Sequence, residues 1–244
     1  MRHGWLTGLL CLVCSSLQAA EQLVLFTYQQ KPPYVVDAEQ ARGLYYDLAE
    51  LLNARLPQYR FVVRVVPRRR LDHGLAAGKL PGLVLGVAPE WFADAPRHLW
   101  SEVFIDDANL LLSRSSGTAS RLPLDGLEGL RLGLLGGSHY PELDALLSAG
   151  RVQRKDAAYE EDNLQRLLRG WVDAIVIGQR TLDFRLQQEP QLAARLHVDN
   201  PPLRHFQRRV LVPVQHAAVL PELDRILRLL PKDAEWQAHL RRYR

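Results

Sequence analysis

The segment Gly136-Gly137-Ser138-His139-Tyr140 holds the residue types that bear most directly on binding chemistry. A helical pattern starts just after it, near Pro141. Backbone N–H groups at a helix start, joined by a Ser hydroxyl, suit an anion. The same spacing also suits Ser138 as a plain helix cap with nothing bound. His139 would add a pH-dependent contact or simply stand exposed. Arg68 and Arg70 open a second helical pattern, directly after an apolar run that ends at Pro67. A guanidinium there gives bidentate recognition of a carboxylate or phosphate; a solvated helix start is the alternative. Catalysis has weaker support. Glu90, Asp94, His98 and His139 have the chemistry of general acids and bases, yet no pair has a spacing that demands it. There is no His-x-x-x-His, no Gly-x-Ser-x-Gly and no phosphate loop. The eight histidines are scattered without ligand spacing, so neither a metal nor a cofactor is expected.

The elements that must position these groups alternate between strand and helix. LVLFTY (23–28) reads as a strand. A loop with Gly43 follows, then a helix with apolar residues at Leu44, Leu48, Leu51 and Leu52. The strand FVVRVVP, the helix RRRLDHGLAAGKL and the apolar run GLVLGV come next. The irregular, aromatic PEWFADAPRHLWSEVF then leads into the strand DDANLLLSR. SSGTAS is a Ser/Gly-rich break, expected to be the first crossing between two lobes. Beyond it come the strand LRLGLLGG, the helix PELDALLSAG, a short strand near Val152 and the helix YEEDNLQRLLRG. The strand VDAIVIG and the helix QRTLDFRLQQ complete this half. RRVLVPV (208–214) reads as a strand returning to the first lobe, closed by the helices PELDRILRLL and DAEWQAHLRRY. Such alternation argues for α/β lobes with mostly parallel sheets flanked by helices. The expected division is 21–112 plus 208–244 for one lobe and 113–207 for the other.

The N-terminus carries the pattern of a cleaved secretory signal over 1–20: Arg2 and His3, the apolar WLTGLLCLVC, then SSLQAA. Its apolar core is shorter than the roughly 20 residues a spanning helix needs. A lipoprotein acylated at Cys11 or Cys14 is the alternative. Cleavage would remove both cysteines and the only methionine, leaving no disulfide, thiolate or cysteine nucleophile. About 225 residues would remain, and with 47 % of the chain apolar they can build a substantial core. The net charge of +4 comes with basic clusters at 68–70, 208–209 and 241–244. Interspersed acidic residues make most of these solvated faces, and no nucleic-acid partner is expected.

Taken in order, PPY (32–34), GLYYDLAELL (43–52), LDHGLAAGKLPGLVLG (71–86), WSEVFIDDANLLLSR (100–114), LEGLRLGLLGGS (127–138) and LLRGWVDAIVIG (167–178) resemble the landmarks of the family 3 extracellular solute-binding proteins. The resemblance spans nearly the whole mature chain. It implies a two-lobed venus-flytrap fold with the ligand in the crevice between lobes, at the carboxyl ends of the strands. It further implies a periplasmic, monomeric, non-catalytic receptor that closes on a small-molecule solute. Such a receptor presents its closed form to an inner-membrane permease of an ABC-type importer. Two alternatives stand beside it: a sensory or docking module reporting to a membrane signalling protein, and a small-acid lyase on the same fold.

In that frame Tyr34 is the expected aromatic wall, with capping of the core beneath the turn as the other possibility. Trp91 lies near a cleft segment. The amino-acid clamp of the family departs at both ends. Asp94 occupies the register of the carboxylate-binding Arg, so Arg97, three residues later, or Arg68 or Arg70 on another wall must supply the cation. The acid that meets the ligand ammonium is replaced by Gly178, followed by Gln179. The expected ligand contacts are therefore Tyr34, Arg68, Arg70, Trp91, Arg97, Ser138, His139, Tyr140 and Gln179. A small anionic or neutral polar solute is expected rather than a standard α-amino acid.

Overall fold

The computed structural model describes residues 20–115 and 122–243. The residues up to Ala19, on which the expected signal and Cys11 and Cys14 fall, and the SSGTAS break from Ser116 lie outside the described residues. In chain order the first part comprises β1 (Glu21–Thr27), α1 (Leu44–Arg55), β2 (Tyr59–Val65), α2 (Arg68–Ala76), β3 (Gly82–Val87), the two-residue β4 (Leu99–Trp100) and β5 (Ile105–Arg114). The second comprises β6 (Arg131–Leu135), α3 (Asp144–Ser148), β7 (Gln153–Ala157), α4 (Glu160–Leu168), β8 (Ala174–Gly178), α5 (Gln179–Gln188) and β9 (Leu196–Val198). The chain returns through β10 (Arg204–Val212) and ends in α6 (Leu220–Leu227) and α7 (Ala234–Arg242).

The strands run β2-β1-β3-β10-β5-β8-β6-β7. β1 is parallel to β2 and β3, and β6 is parallel to β7 and β8. Between these two parallel triplets lie β10 and β5, antiparallel to each other and to their outer neighbours. Each half is thus a mostly parallel sheet with one antiparallel member, and the two members touch.

Apolar side chains fill both faces of each half, as a sheet covered by helices requires. In the first, Leu25, Leu83 and Leu85 meet α1, α6 and α7, while Val24, Phe26 and Val84 pack on Leu71 and Leu75 of α2. In the second, Ile175 and Ile177 pack on α4 and α5, while Leu132, Leu134 and Val176 pack on Tyr140, Leu143 and Leu146. Along β5, Ile105 belongs to a first-half core and Leu110 to a second-half core. Trp236 of α7 is almost fully enclosed. Its helix starts at Asp233, whose carboxylate accepts the Trp236 N–H at 2.9 Å and pairs with Arg55 at 2.7 Å. Asp233→Ala should lower stability by about 1 kcal/mol in a denaturant titration, the usual loss for an N-cap.

Two elements depart from the sequence expectation. The helix expected over PELDALLSAG is a 3-10 turn (Pro141–Leu143) followed by the five-residue α3. The strand expected at 208–214 begins earlier, at Arg204, and stops before Pro213, which has no N–H to continue the ladder.

Candidate functional site

Between the halves lies a cavity of about 320 Å³. One wall is Tyr28–Lys31 beyond the carboxyl end of β1 and Val65–Pro67 at that of β2; the other is Leu135 ending β6 and Ala158–Glu160 after β7. The strands of both halves therefore aim their carboxyl ends into it, where α/β sheets place ligands. A recess of about 90 Å³ shares Tyr28, Lys31 and Glu160 with it and continues toward Arg68, Trp91, Gly137–Tyr140 and Arg208.

A buried ion pair forms the floor. Phe206 pairs with Asp107 in the β10–β5 register, which makes Arg208 a diagonal neighbour of Asp107 on one sheet face. Arg208 Nη2 donates to Asp107 Oδ2 at 2.7 Å, and Nη1 donates to the Gly86 carbonyl at 2.9 Å. The Tyr34 hydroxyl donates to the same Oδ2, and the N–H groups of Ala108 and Arg180 reach Oδ1 at 2.9 and 3.3 Å. The guanidinium lies 4.1 Å from the Tyr34 ring centroid and 5.0 Å from that of Phe206. Burial acts to raise the Asp107 carboxyl, but Arg208, Lys31 and the hydrogen bonds outweigh it and hold the group below its ordinary value. Burial, reinforced by Asp107 against the opposing pull of Arg208, drives the Tyr34 phenol well up, so it stays protonated and donates.

Polar contacts also join the two walls. The Lys31 ammonium pairs with Glu160 Oε1, and Glu160 Oε2 accepts the Gly178 N–H at 3.3 Å. Thr181 Oγ1 donates to the Pro32 carbonyl at 2.8 Å. Arg204 stands between Glu90 and Glu142, 3.9 and 3.8 Å away.

The expected ligand contacts divide among several places. Arg68, Trp91, Ser138, His139 and Tyr140 border the recess together. Arg68 lies over the Tyr28 and Phe92 rings, donates to the Tyr28 hydroxyl at 2.8 Å and pairs with Asp72 at 2.7 Å. Trp91 meets Phe206 edge-on, with centroids 5.0 Å apart. Ser138 caps no helix, because the following 3-10 turn starts from Tyr140 without a side-chain cap. His139 is exposed and bonds Asp144. The Tyr140 hydroxyl accepts the Leu135 N–H at 3.2 Å, and burial first, then Glu160, pushes that phenol up. Tyr34 lies beneath the cleft, fully enclosed against Tyr45. Arg70 is exposed on α2. Arg97 borders a separate depression with Asp94 and His98, and Gln179 borders another with Asp106, Asp183 and His205.

Lys31, Glu160, Asp107 and Arg208 were missed as site residues. Only Asp107 gave a signal that could have been followed: alternation along β5 puts it on the same face as Ile105, opposite the exposed Asp106. Among the described residues no cluster of His, Cys, Asp and Glu could hold a metal ion, and no helix is long and apolar enough to cross a membrane.

No family model and no curated protein matches the sequence. Solved structures do match it along most of its length. The P235GK mutant of ArgBP from T. maritima superposes with a TM-score of 0.72 at 17 % identity, covering 91 % of this chain and 94 % of that one. The GluR0 ligand-binding core from Nostoc punctiforme, in complex with L-glutamate, gives 0.72 at 16 % identity over 91 % and 98 %. The periplasmic VFT2 domain of Bordetella pertussis BvgS gives 0.68 at 17 % identity over 91 % and 93 %. The resemblance to solute-binding proteins read from the landmarks of the sequence holds in the fold, and the α/β class with two lobes is the observed one.

Proposed function

We propose that this chain is a non-catalytic receptor that captures a small polar or anionic solute by closing its two lobes. The observation that carries this reading is the cavity between the carboxyl ends of β1, β2 and β6, walled by both lobes. Its polar groups converge from separate elements of both lobes, Tyr28 to Lys31 from one and Tyr159 and Glu160 from the other, as a site for a polar small molecule requires. Capture of this kind is a hinge closure, with the solute desolvated between the halves. Arg68, Trp91, Ser138 and Tyr140 are the ligand contacts carried forward, because they border one recess. The lobes divide inside β5, between Ile105 and Leu110 where the apolar cores change over, rather than at the expected 112–113, and the chain returns to the first lobe near Arg208 in β10. The receptor works in the periplasm as a monomer and hands its solute to an inner-membrane permease. Under a second reading, closure is read by a membrane signalling protein instead. Its support is that this chain bridges its lobes with its own side chains, as at Lys31 and Glu160.

The test is a thermal-shift screen of residues 21–244 against amino acids, small carboxylates, polyamines, phosphates and sugars. A solute present at about 100 times its Kd adds roughly 2.7 kcal/mol to the native state. One class should raise Tm, with the gain lost in Arg68→Ala, and the radius of gyration should fall on binding. A panel with no shift on a folded protein sinks the capture reading and leaves the signalling one.

A further inference from the structure

The innermost part of the cleft already holds a cation, and the chain itself supplies it. Lys31 comes from the first lobe, and its ammonium meets Glu160 of the second; the two side chains are only 12 % and 6 % exposed. Glu160 is held in place by the Gly178 N–H, and it opens α4, where the helix dipole favours a carboxylate. Gly178 leaves the room: a methyl group built on it would stand 3.2 Å from Lys31 Nζ and 3.7 Å from Asp107 Oδ2. A second buried carboxylate thus borders the same space. Carboxylates fixed by backbone N–H groups, around a point that Gly178 leaves clear and the Lys31 ammonium takes, form a receptor for a primary ammonium.

We propose that Lys31 is a tethered occupant of an ammonium subsite, so that the solute of this cleft carries no free ammonium at that end. The specificity half of this inference rests on the capture reading above; the occupancy half does not. A covalent tether gives Lys31 an effective concentration in the millimolar range or higher, which a dilute free amine cannot match. A solute ammonium placed beside Lys31 would also face a like charge and find its carboxylate taken. The backbone around Lys31 restricts it further. Its N–H donates to the Gln29 carbonyl and its carbonyl accepts the Val35 N–H, at 2.9 and 3.0 Å. The next residue, Pro32, carries the Thr181 contact across the cleft. The same lysine therefore excludes amines and holds the lobes together.

Lys31→Ala removes three carbons and the ammonium, the outline of n-propylammonium. The variant should melt below the wild type, and n-propylammonium at tens of millimolar should recover at least half of that loss. Tetramethylammonium, equally charged but without N–H donors, should recover none. The wild type and Lys31→Ala/Glu160→Gln should not respond to either. Reductive methylation followed by mass spectrometry is the second readout and needs no deletion. Lys31 should react far more slowly than the exposed Lys79 in the wild type and become reactive in Glu160→Gln. A response of Lys31→Ala to n-propylammonium no larger than that of the wild type overturns the assignment, as does Lys31 reacting as fast as Lys79. Neither experiment uses the natural solute, so failure here is distinct from failure of the solute screen.

Discussion

Replacing Asp107 with alanine is expected to cost about 3–5 kcal/mol of unfolding free energy, because it leaves the Arg208 guanidinium buried without its counter-charge. Arg208 is 1 % exposed and Asp107 is fully covered. The hydroxyl of Tyr34 and the N–H groups of Ala108 and Arg180 lose the same acceptor. Removing both charges should be far milder: Asp107→Ala/Arg208→Met recovers most of the loss, and a double-mutant cycle in denaturant measures the coupling. A single variant within about 1 kcal/mol of wild type would contradict a central role for the pair. Acid should act in the same direction. The folded Asp107 carboxyl lies below its ordinary 3.8, so its contribution is complete above that value and is lost as the pH falls through the lower, folded one. The wild type should therefore lose stability more steeply below pH 3.8 than Asp107→Asn does.

Gly86→Ala should be nearly as damaging, by about 2–4 kcal/mol through backbone strain and overpacking. Gly86 has φ +78°, a conformation that residues with a Cβ rarely adopt. A Cβ there would fall 1.7 Å from the Tyr45 hydroxyl and 2.2 Å from the ring carbon bearing it. Tyr45 has no room to yield, because it is fully buried between Tyr34 and Phe104. Tyr45→Phe should consequently fail to rescue the variant, since the ring carbon still overlaps. The Gly86 carbonyl also accepts from Arg208, so the distortion reaches the floor of the cleft. Calorimetry should show Tm reduced by roughly 5–15 °C for a chain of this size.

The elements of this fold were legible because their signals are local. The spacing of Leu44, Leu48, Leu51 and Leu52 marks α1, and the unbroken apolar run before Gly178 marks β8, a strand buried on both faces. The short α3 was over-read because Pro141 and the leucines after it look like a full helix start, while the turn geometry at Tyr140 permits only a 3-10 entry. The site was less legible for a different reason. Arg208 stands next to Arg209 and looks like a solvated basic pair; its burial comes from Asp107, 101 positions away in sequence. Lys31 and Glu160 lie 129 positions apart and read singly as surface charges. Tyr34 beside the Pro-Pro turn was expected to wall the cleft and instead lies buried beneath it, because no local pattern says which way an aromatic at a turn will point. Arg97 and Gln179 were expected from their nearness to the family registers at Asp94 and Gly178, and nearness along the chain does not fix which depression a side chain borders.

β1 lies between two partners, and only its later end meets the cleft. Its seven residues put about 20 Å between Glu21 and the cavity wall. Anything fused ahead of Glu21, whether an affinity handle or a dye, therefore starts a full strand length away from the residues that line the cavity.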